Sequence, residues 1–384
     1  MSYTSNIWLG EEAGTFDAFR QQVSRVTNLA DWPHAASVEQ NVPIYDGAQI
    51  RAAAPDRAAR QALMAEWATV LATGPGVIAI KGAMEDVAVV DEATAHFEAI
   101  IEEEKAIGAG GGDHFAKPGA NDRVWNALEK HCLRAPKNFA AYYASDALAM
   151  ASEAWLGPWY QMTAQVNRVN PGGAAQVPHR DYHLGFMSTE DAASFPAHVH
   201  GVSPLLTLQG AVAHSDMPVE TGPTLLLPYS QTFFEGYIAL GRPEFQAHFA
   251  EHRSQLPLEK GDAVFFNPAL MHGAGENVTE DKQRMANLLQ VGSAFGRSIE
   301  SVNRSRMVKA VYAHLGKLSG TALDNAVAAS AEGYSYPTNL DNDPPVGGLA
   351  PLSQAQILKN ALADGVSAED FAALIDAADG RRVP

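Results

Sequence analysis

The chain has 384 residues, of which 46% are hydrophobic and 18% are charged, enough for one large folded domain and unlike a disordered chain. Its formal net charge of -17 repels phosphate backbones, so we expect no nucleic-acid partner. The single cysteine, Cys132, excludes an intramolecular disulfide and a cysteine-based zinc cluster.

The first residues, MSYTSNIWLGEEAG, have neither the basic start nor the apolar segment of a signal peptide. No apolar run approaches the ~20 residues that a membrane-spanning helix needs. We therefore expect a cytoplasmic protein with no membrane partner. Nothing in the sequence indicates a homo-oligomer, and that question remains open.

The first part of the chain shows apolar residues at helical spacing. Residues 56–73 repeat them in this way, and Gly74-Pro75-Gly76 ends the pattern. The run VIAI at 77–80 is rich in strand formers. The sequence therefore predicts helices and one strand before residue 158, namely helices at 56–73, 85–105 and 138–156 and a strand at 77–80.

A glycine cluster, GAGGG at 108–112, follows the second of these helices. A glycine-rich loop that binds phosphate is followed by Lys and then Ser or Thr. No such pair follows here, so we interpret the cluster as a flexible connection.

From Gln161 onward, short segments rich in strand formers are separated by Gly, Pro, Asn and Asp. Several short strands at such spacing predict a barrel or jelly roll. The predicted strand segments are 161–169, 183–187, 205–213, 224–229, 263–271 and 285–295. Helical patterns return at 299–317 and 353–377, with an irregular arm at 334–351 between them.

We therefore predict a single elaborated domain with a mostly β core and flanking helices, of the jelly-roll, cupin-like class. Residues 1–158 form a mainly helical N-terminal region. Residues 159–298 form the β core with the candidate site, and residues 299–384 form a helical C-terminal region.

Three residues are candidate metal ligands. His179 and Asp181 form an HxD pair, and on a strand residues two apart face the same side. His272 lies 91 positions further on, in GDAVFFNPALMHG, and antiparallel pairing in a small barrel brings such distant strands together. Two imidazoles and one carboxylate are the ligand set of non-haem iron(II) oxygenases, which leaves coordination positions open for a 2-oxo acid and O₂.

Arg284 lies 12 positions after His272 in a segment predicted as the next strand. A 2-oxo diacid needs a cation at its far carboxylate, and the planar guanidinium binds carboxylate through two hydrogen bonds. Arg284 is therefore a candidate anchor for such a co-substrate.

Residues 160–296 resemble the phytanoyl-CoA dioxygenase family of Fe(II)/2-oxoglutarate-dependent oxygenases. The resemblance runs through PHRDYH (178–183), GPTLLLPYSQ (222–231) and GDAVFFNPALMHGAGEN (261–277), then the strand that contains Arg284. VIAIKGAM (77–84) is similar to the leading segment of the family. Gln231 stands where the family usually has a histidine that is not a ligand.

The resemblance implies a double-stranded β-helix with Fe(II) bound by His179, Asp181 and His272. It also implies 2-oxoglutarate bound by Arg284, with O₂ as the second co-substrate. Family members often have a hydroxyl two residues after the second histidine, where this chain has Ala274. Another donor must then assist Arg284, and Thr224 is a candidate.

Three further residues are candidates for binding 2-oxoglutarate. Gln165 and Asn167 precede the HxD pair on one predicted strand, so both face the interior or neither does. Arg123 matches a basic residue that the family uses near the co-substrate. For all three, a solvated polar surface is the alternative.

Candidates for contacting the substrate are His183, Tyr182, Phe186 and Trp125, with His214 as a further pocket residue. His183 is the first to test, because it faces the same side as both HxD ligands if the strand continues. For each of these residues, the alternative interpretation is a place in the hydrophobic core or at the rim of the pocket. No catalytic residue beyond the metal ligands is identified.

The resemblance and the retained Asp181 imply hydroxylation of an aliphatic C–H bond in a small organic substrate, with release of succinate and CO₂. In halogenating relatives the carboxylate position is empty, so that halide binds the iron. Two alternatives remain open. One is a cupin-like metal-dependent isomerase or hydrolase that does not use 2-oxoglutarate, and the other is a non-enzymatic barrel that binds a small molecule.

Overall fold

The backbone is organised around two β-sheets. The computed structural model describes residues 7–108, 112, 119–183, 185 and 187–383. The strands in these residues are β1 (Ser37–Glu39), β2 (Val42–Asp46), β3 (Val77–Lys81), β4 (Asn121–Val124), β5 (Gln161–Val169), β6 (Thr207–Ala213), β7 (Leu225–Leu227), β8 (Ser254–Gln255), β9 (Ala263–Phe266), β10 (Met271–Gly273) and β11 (Arg284–Gly292).

The larger sheet has eight strands within the described residues, in the order β1-β2-β3-β9-β6-β11-β5-β4. It is mixed, because β2 and β3 run parallel and the other neighbouring pairs run antiparallel. The smaller sheet has the order β10-β7-β8. The long strand β11 pairs with β6 on one side and with β5 on the other, and alternate residues of these strands are presented to opposite faces of the sheet.

Helices cover one face of the larger sheet, here called the outer face. The helices of the described residues are α1 (Phe16–Val23), α2 (Gly47–Ala53), α3 (Arg57–Ala72), α4 (Val87–Ala106), α5 (Ala127–Arg134), α6 (Pro136–Tyr142), α7 (Asp146–Leu156), α8 (Thr189–Ala193), α9 (Ala197–Val202), α10 (Gly236–Ala239), α11 (Pro243–His252), α12 (Arg304–Leu315), α13 (Gly320–Ser330), α14 (Gln354–Ala363) and α15 (Ala368–Arg382). Within the described residues, none of these helices combines the length and apolar composition that a membrane span requires.

Helix α3 illustrates how the sequence specifies this layer. Asp56 caps the helix, and its carboxylate accepts a hydrogen bond of 2.8 Å from the backbone N–H of Ala59. Leu63, Trp67 and Val70 recur at helical spacing and are buried, which turns one stripe of the helix toward the sheet. Removing a fully buried side chain such as Trp67 costs about 3–5 kcal/mol.

The opposite face of the larger sheet, here called the inner face, packs against the smaller sheet. Val264, Phe266 and Ala211 of the larger sheet form one buried apolar cluster with Leu226 of the smaller sheet. The two sheets therefore enclose a common interior, and side chains on the inner face of β5, β6 and β11 border it.

Most predicted elements are confirmed, with β5 coinciding with 161–169 and the arm at 334–351 lacking helix and strand. The strand predicted at 183–187 is wrong, because Tyr182 and Gly185 exchange two backbone hydrogen bonds of 2.9 and 3.1 Å in a tight turn. The glycine cluster at 108–112 lies mostly outside the described residues. The region before residue 158 also supplies β1, β2 and β4, which the sequence analysis did not identify.

Candidate metal centre

Backbone pairing brings the HxD segment next to β10. His179 and His272 are partners in an isolated antiparallel bridge, with N···O distances of 2.9 and 3.0 Å. The backbone N–H of Asp181 donates to the carbonyl of Pro268 at 3.0 Å. The two bonds between His179 and His272 hold residues 93 positions apart at one place, where paired residues of antiparallel segments share a face.

The three side chains converge on one point. Asp181 Oδ1 lies 3.6 Å from His179 Nε2, and Asp181 Oδ2 lies 3.7 Å from His272 Nε2. One ligand atom from each residue lies within 4.8 Å of the others. Atoms bound at ~2.0–2.2 Å to one ion are roughly 3–4 Å apart, so small side-chain movements suffice for all three to share a metal ion.

The two histidines present the same ring nitrogen to this point. His179 Nδ1 lies 2.8 Å from the carbonyl oxygen of Val177, and His272 Nδ1 lies 2.8 Å from that of Leu270. A carbonyl only accepts, so Nδ1 carries the hydrogen and Nε2 is left with a lone pair. Burial, reinforced by the neighbouring His179, lowers the pKa of His272 to about 4. His272 is therefore a neutral potential ligand at pH 7.

Asp181 has one satisfied and one unsatisfied oxygen. Gln209 Nε2 donates a hydrogen bond to Oδ2, whereas Oδ1 is buried and makes no hydrogen bond to a described residue. A buried carboxylate oxygen without a donor is costly unless a cation satisfies it. Two imidazoles that present Nε2 and this carboxylate are a donor set that fits iron(II).

Arg284 is a buried charge without a carboxylate partner among the described residues. It is the first residue of β11, is 5% exposed, and donates from Nε to the carbonyl of Thr221 at 2.8 Å. Burial lowers its pKa to about 10, so it stays cationic at pH 7, and no carboxylate of a described residue contributes to that pKa. A buried guanidinium without a protein carboxylate fits an anionic ligand.

Comparison with protein-family models matches residues 73–286 to phytanoyl-CoA dioxygenase (PhyH). The chain belongs to the phytanoyl-CoA dioxygenase family. With the His-Asp-His group, this membership identifies iron and 2-oxoglutarate as the cofactors. Among curated protein sequences, none matches this chain.

Several solved structures are similar to the chain. The non-haem α-ketoglutarate-dependent epimerase SnoN from nogalamycin biosynthesis is 21% identical, with a TM-score of 0.44 over 61% of this chain and 82% of SnoN. The carbocyclase SnoK from the same biosynthesis is 20% identical, with a TM-score of 0.43 over 67% of this chain and 91% of SnoK. HygX from Streptomyces hygroscopicus, solved with nickel and 2-oxoglutarate, is 16% identical, with a TM-score of 0.39 over 61% of this chain and 88% of HygX.

In this phytanoyl-CoA dioxygenase family member, Gln165 and Asn167 both lie on the inner face. Gln165 pairs with Leu288 and Asn167 pairs with Ala286, and both of these partners belong to the apolar cluster between the sheets. Directly opposed residues share a face, so the structure favours the interior over a solvated surface for both polar residues. Asn167 Oδ1 is buried and makes no hydrogen bond to a described residue.

Arg123 extends this polar group on β4. It pairs with Asn167, and its Nη2 donates to Gln165 Oε1 at 2.6 Å. Its guanidinium carbon lies 4.9 Å from the ring centroid of Trp125, which is 37% exposed. Arg123 is therefore linked to the inner-face amides, and Trp125 lies at the surface beside them.

Thr224 and Ala274 lie just beyond the paired ends of β7 and β10. Leu225 pairs with Gly273, so Thr224 and Ala274 occupy the next positions along these two segments. Thr224 is half-buried. Its position two residues from Leu226, the partner of His272, is consistent with a hydroxyl near the centre.

The candidate substrate residues do not form one group. His183 lies in the turn after the HxD pair, where its Nδ1 is 2.6 Å from Thr207 Oγ1, so the condition of a continuing strand fails. Tyr182 is buried against Tyr237, with ring centroids 4.3 Å apart. Phe186 lies outside the described residues.

His214 is in a different environment from the metal centre. Its ring nitrogens lie 2.8 Å from Thr94 Oγ1 and 2.9 Å from Tyr142 Oη. Both partners belong to helices that cover the outer face. As a pocket residue of the metal centre, His214 was a wrong prediction.

Two residues that contact Asp181, and one that lies beside Gln165 and Arg123, were not predicted from the sequence. Gln209 binds Asp181 through its side chain, and Tyr237 Oη donates to the carbonyl oxygen of Asp181 at 3.0 Å. Glu300 accepts a 2.7 Å hydrogen bond from the backbone of Asn126, and burial raises its pKa. Gln209 had a signal in the sequence, because it is a lone amide in the apolar run TLQGAVA.

Proposed function

We propose that this family member is an Fe(II)/2-oxoglutarate-dependent dioxygenase that hydroxylates an aliphatic C–H bond of a small organic substrate. The reaction consumes the substrate R–H, O₂ and 2-oxoglutarate and gives R–OH, succinate and CO₂. The observation that carries the proposal is the carboxylate of Asp181, because its two oxygens lie 3.6 Å from His179 Nε2 and 3.7 Å from His272 Nε2, and Oδ1 has no hydrogen-bond donor among the described residues.

In this proposal His179, Asp181 and His272 hold Fe(II), which when bound supplies the oxidative chemistry with O₂. Three protein ligands leave room for a chelating oxo acid and for O₂. Because Asp181 provides a carboxylate ligand, no protein position is left empty for a halide. This supports hydroxylation over halogenation.

Arg284 anchors the far carboxylate of 2-oxoglutarate in this proposal. Its burial excludes water from the ion pair and strengthens it, while the bond from Nε to Thr221 fixes the direction of the guanidinium. Gln165, Asn167 and Arg123 are proposed as further donors to the co-substrate, since they lie on the inner face in one linked group. Thr224 is proposed to assist in place of Ala274.

The proposal extends to the fold of the core and to the substrate contacts. The shared apolar cluster between the sheets supports a double-stranded β-helix within residues 159–298 of a single domain. His183, Tyr182, Phe186 and Trp125 are kept as proposed substrate contacts. Of these, His183 and Tyr182 directly follow the metal-binding segment in the chain.

The proposal is tested by anaerobic addition of Fe(II) and 2-oxoglutarate to the metal-free protein. We expect a weak visible charge-transfer band from the iron–2-oxoglutarate chelate in the wild-type protein, and none in the Asp181→Ala variant. A folded protein that takes up iron but gives no band on adding 2-oxoglutarate would contradict the proposal and favour an isomerase or hydrolase that does not use this co-substrate.

Hydroxylation itself is tested by the products. Candidate substrates are screened for succinate formation, and the positive ones are repeated under ¹⁸O₂. We expect one labelled oxygen atom in the alcohol and one in succinate. A product without a new oxygen atom would replace hydroxylation by another reaction of the same cofactors.

A further inference from the structure

Gln209 is buried on the inner face, next to the metal centre. It lies on β6, where it pairs with Phe266 of β9 and Gln290 of β11, and it is 4% exposed. Phe266 belongs to the apolar cluster between the sheets, and its ring lies 4.7 Å from that of His272. An uncharged amide placed in such a cluster needs polar partners.

The partner of Gln209 is the carboxylate of Asp181. Its Nε2 donates to Oδ2, and this orientation of the amide is the only attractive one, because Oε1 would face a carboxylate with a lone pair. Asp181 Oδ1 receives no such bond. The amide thus distinguishes two carboxylate oxygens that are otherwise equivalent.

This distinction matters for the number of coordination positions. A six-coordinate ion with two imidazoles and one carboxylate oxygen keeps three positions, two for a chelating oxo acid and one for O₂. If both oxygens of Asp181 bound the ion, one of those positions would be lost. An amide hydrogen bond to Oδ2 opposes the two-oxygen mode, because metal binding and the amide compete for the same lone pairs.

We propose that Gln209 is a positioning residue that holds Asp181 in a one-oxygen binding mode and so keeps one coordination position of the iron free. The inference rests on the proposed function, because it takes His179, Asp181 and His272 as the ligands. Tyr237 holds the backbone of the same residue at its carbonyl oxygen, so Gln209 is the described residue that orients the carboxylate itself.

The test compares Gln209→Leu with Gln290→Leu. Gln290 is the direct partner of Gln209 across β6 and β11, carries the same side chain, and makes no hydrogen bond to the ligands among the described residues. Each metal-free protein is titrated with Co(II) alone, and the visible ligand-field spectrum is recorded. Gln209→Met, which keeps the length of the side chain, serves as a second variant if Gln209→Leu does not fold.

We expect the ligand-field spectrum of Gln209→Leu to differ from that of the wild type, because the second carboxylate oxygen of Asp181 replaces another ligand at one coordination position of Co(II). Its dissociation constant should rise on the order of 10-fold, as is usual when a hydrogen-bond partner of a ligand is removed. Gln290→Leu should match the wild type in both its Co(II) spectrum and its dissociation constant. A purely structural role for Gln209 would lower the melting temperature of the metal-free protein without changing the spectrum.

An unchanged Co(II) spectrum in Gln209→Leu, or in Gln209→Met, overturns the inference whatever the dissociation constant. Failure of the wild-type protein to bind Co(II) would instead overturn the proposed ligand set. The two failures are distinguishable because the second concerns the wild type and the first concerns only the variants.

Discussion

The centre contains two charged groups, the half-buried Asp181 and the buried Arg284, that the described residues leave incompletely satisfied. Asp181 Oδ1 has no hydrogen-bond donor, and the pKa of Arg284 is perturbed by burial alone, without a carboxylate contribution. Buried charges are stable only when an opposite charge or several hydrogen bonds compensate them. One group requires a cation and the other an anion, which matches a metal ion and an oxo diacid.

Replacing Arg284 by Leu should weaken the binding of 2-oxoglutarate on the order of 100-fold. The variant loses hydrogen bonds to a charged group, each of which contributes roughly 1.5–3 kcal/mol. The measurement is a titration of the Fe(II)-loaded protein with 2-oxoglutarate, followed by the visible band.

Arg253→Leu is the matched control for this titration, since Arg253 is exposed after the end of α11. It should bind 2-oxoglutarate as the wild type does. Wild-type affinity in Arg284→Leu would show that another residue holds the far carboxylate.

The residue types of the centre were predictable from the sequence, and their partners were not. His179, Asp181 and His272 belong to a short motif whose spacing carries chemical meaning, and Arg284 follows at a fixed interval. Gln209 lies 28 positions from Asp181 along the chain. Its contact depends on how β6 pairs with its neighbours, which a single sequence does not specify.

At the scale of elements, a helix with a complete local signal was predicted closely. The helix predicted at 56–73 is α3, Arg57–Ala72, because its cap and its apolar stripe lie within the segment and its terminating glycines follow directly. Strands β1, β2 and β4 were missed. Each has three to five residues and is stabilised by pairing with a partner strand rather than by its own pattern.

The capping bond of α3 gives a prediction at this scale. Asp56→Ala should lower the free energy of unfolding by about 1 kcal/mol, because the N–H of Ala59 loses its acceptor at the helix start. Urea unfolding monitored by circular dichroism measures this difference.

Asp281→Ala is the control for the cap, since Asp281 is exposed and lies outside any helix. It should change the free energy of unfolding by less than about 0.5 kcal/mol. Equal losses in the two variants would mean that the capping bond contributes nothing beyond a surface carboxylate.

At the scale of the whole molecule, the larger sheet separates two polar environments. The inner face holds the metal centre and the proposed co-substrate site. The outer face, beneath the helices, holds His214 and His131, both almost completely buried. His131 Nε2 lies 2.7 Å from Asn138 Oδ1. These two histidines lie on the other side of the sheet from the metal centre, and we expect them to affect the stability of the fold.

The two buried histidines predict an acid-sensitive fold. Burial lowers the pKa of His131 to about 4 and the pKa of His214 to about 3, against about 6.5 in an unfolded chain. Below pH 6.5 the unfolded chain therefore binds protons that the folded protein does not bind. Their contribution to stability is complete above that pH and is lost as the pH falls, by about 4 kcal/mol in total between pH 7 and pH 5.

Urea unfolding of the metal-free protein at pH 7 and pH 5 measures this loss, and His214→Gln isolates one histidine. Between the two pH values, the free energy of unfolding of the variant should fall by about 2 kcal/mol less than that of the wild type, because glutamine does not titrate. His198→Gln, at an exposed position, should behave as the wild type. All three proteins share the remaining ionisable groups, including His179 and His272, so the difference between them reports His214 alone. Identical pH dependence in wild type and His214→Gln would mean that the pKa of His214 is the same in the folded and the unfolded protein, which would contradict the prediction.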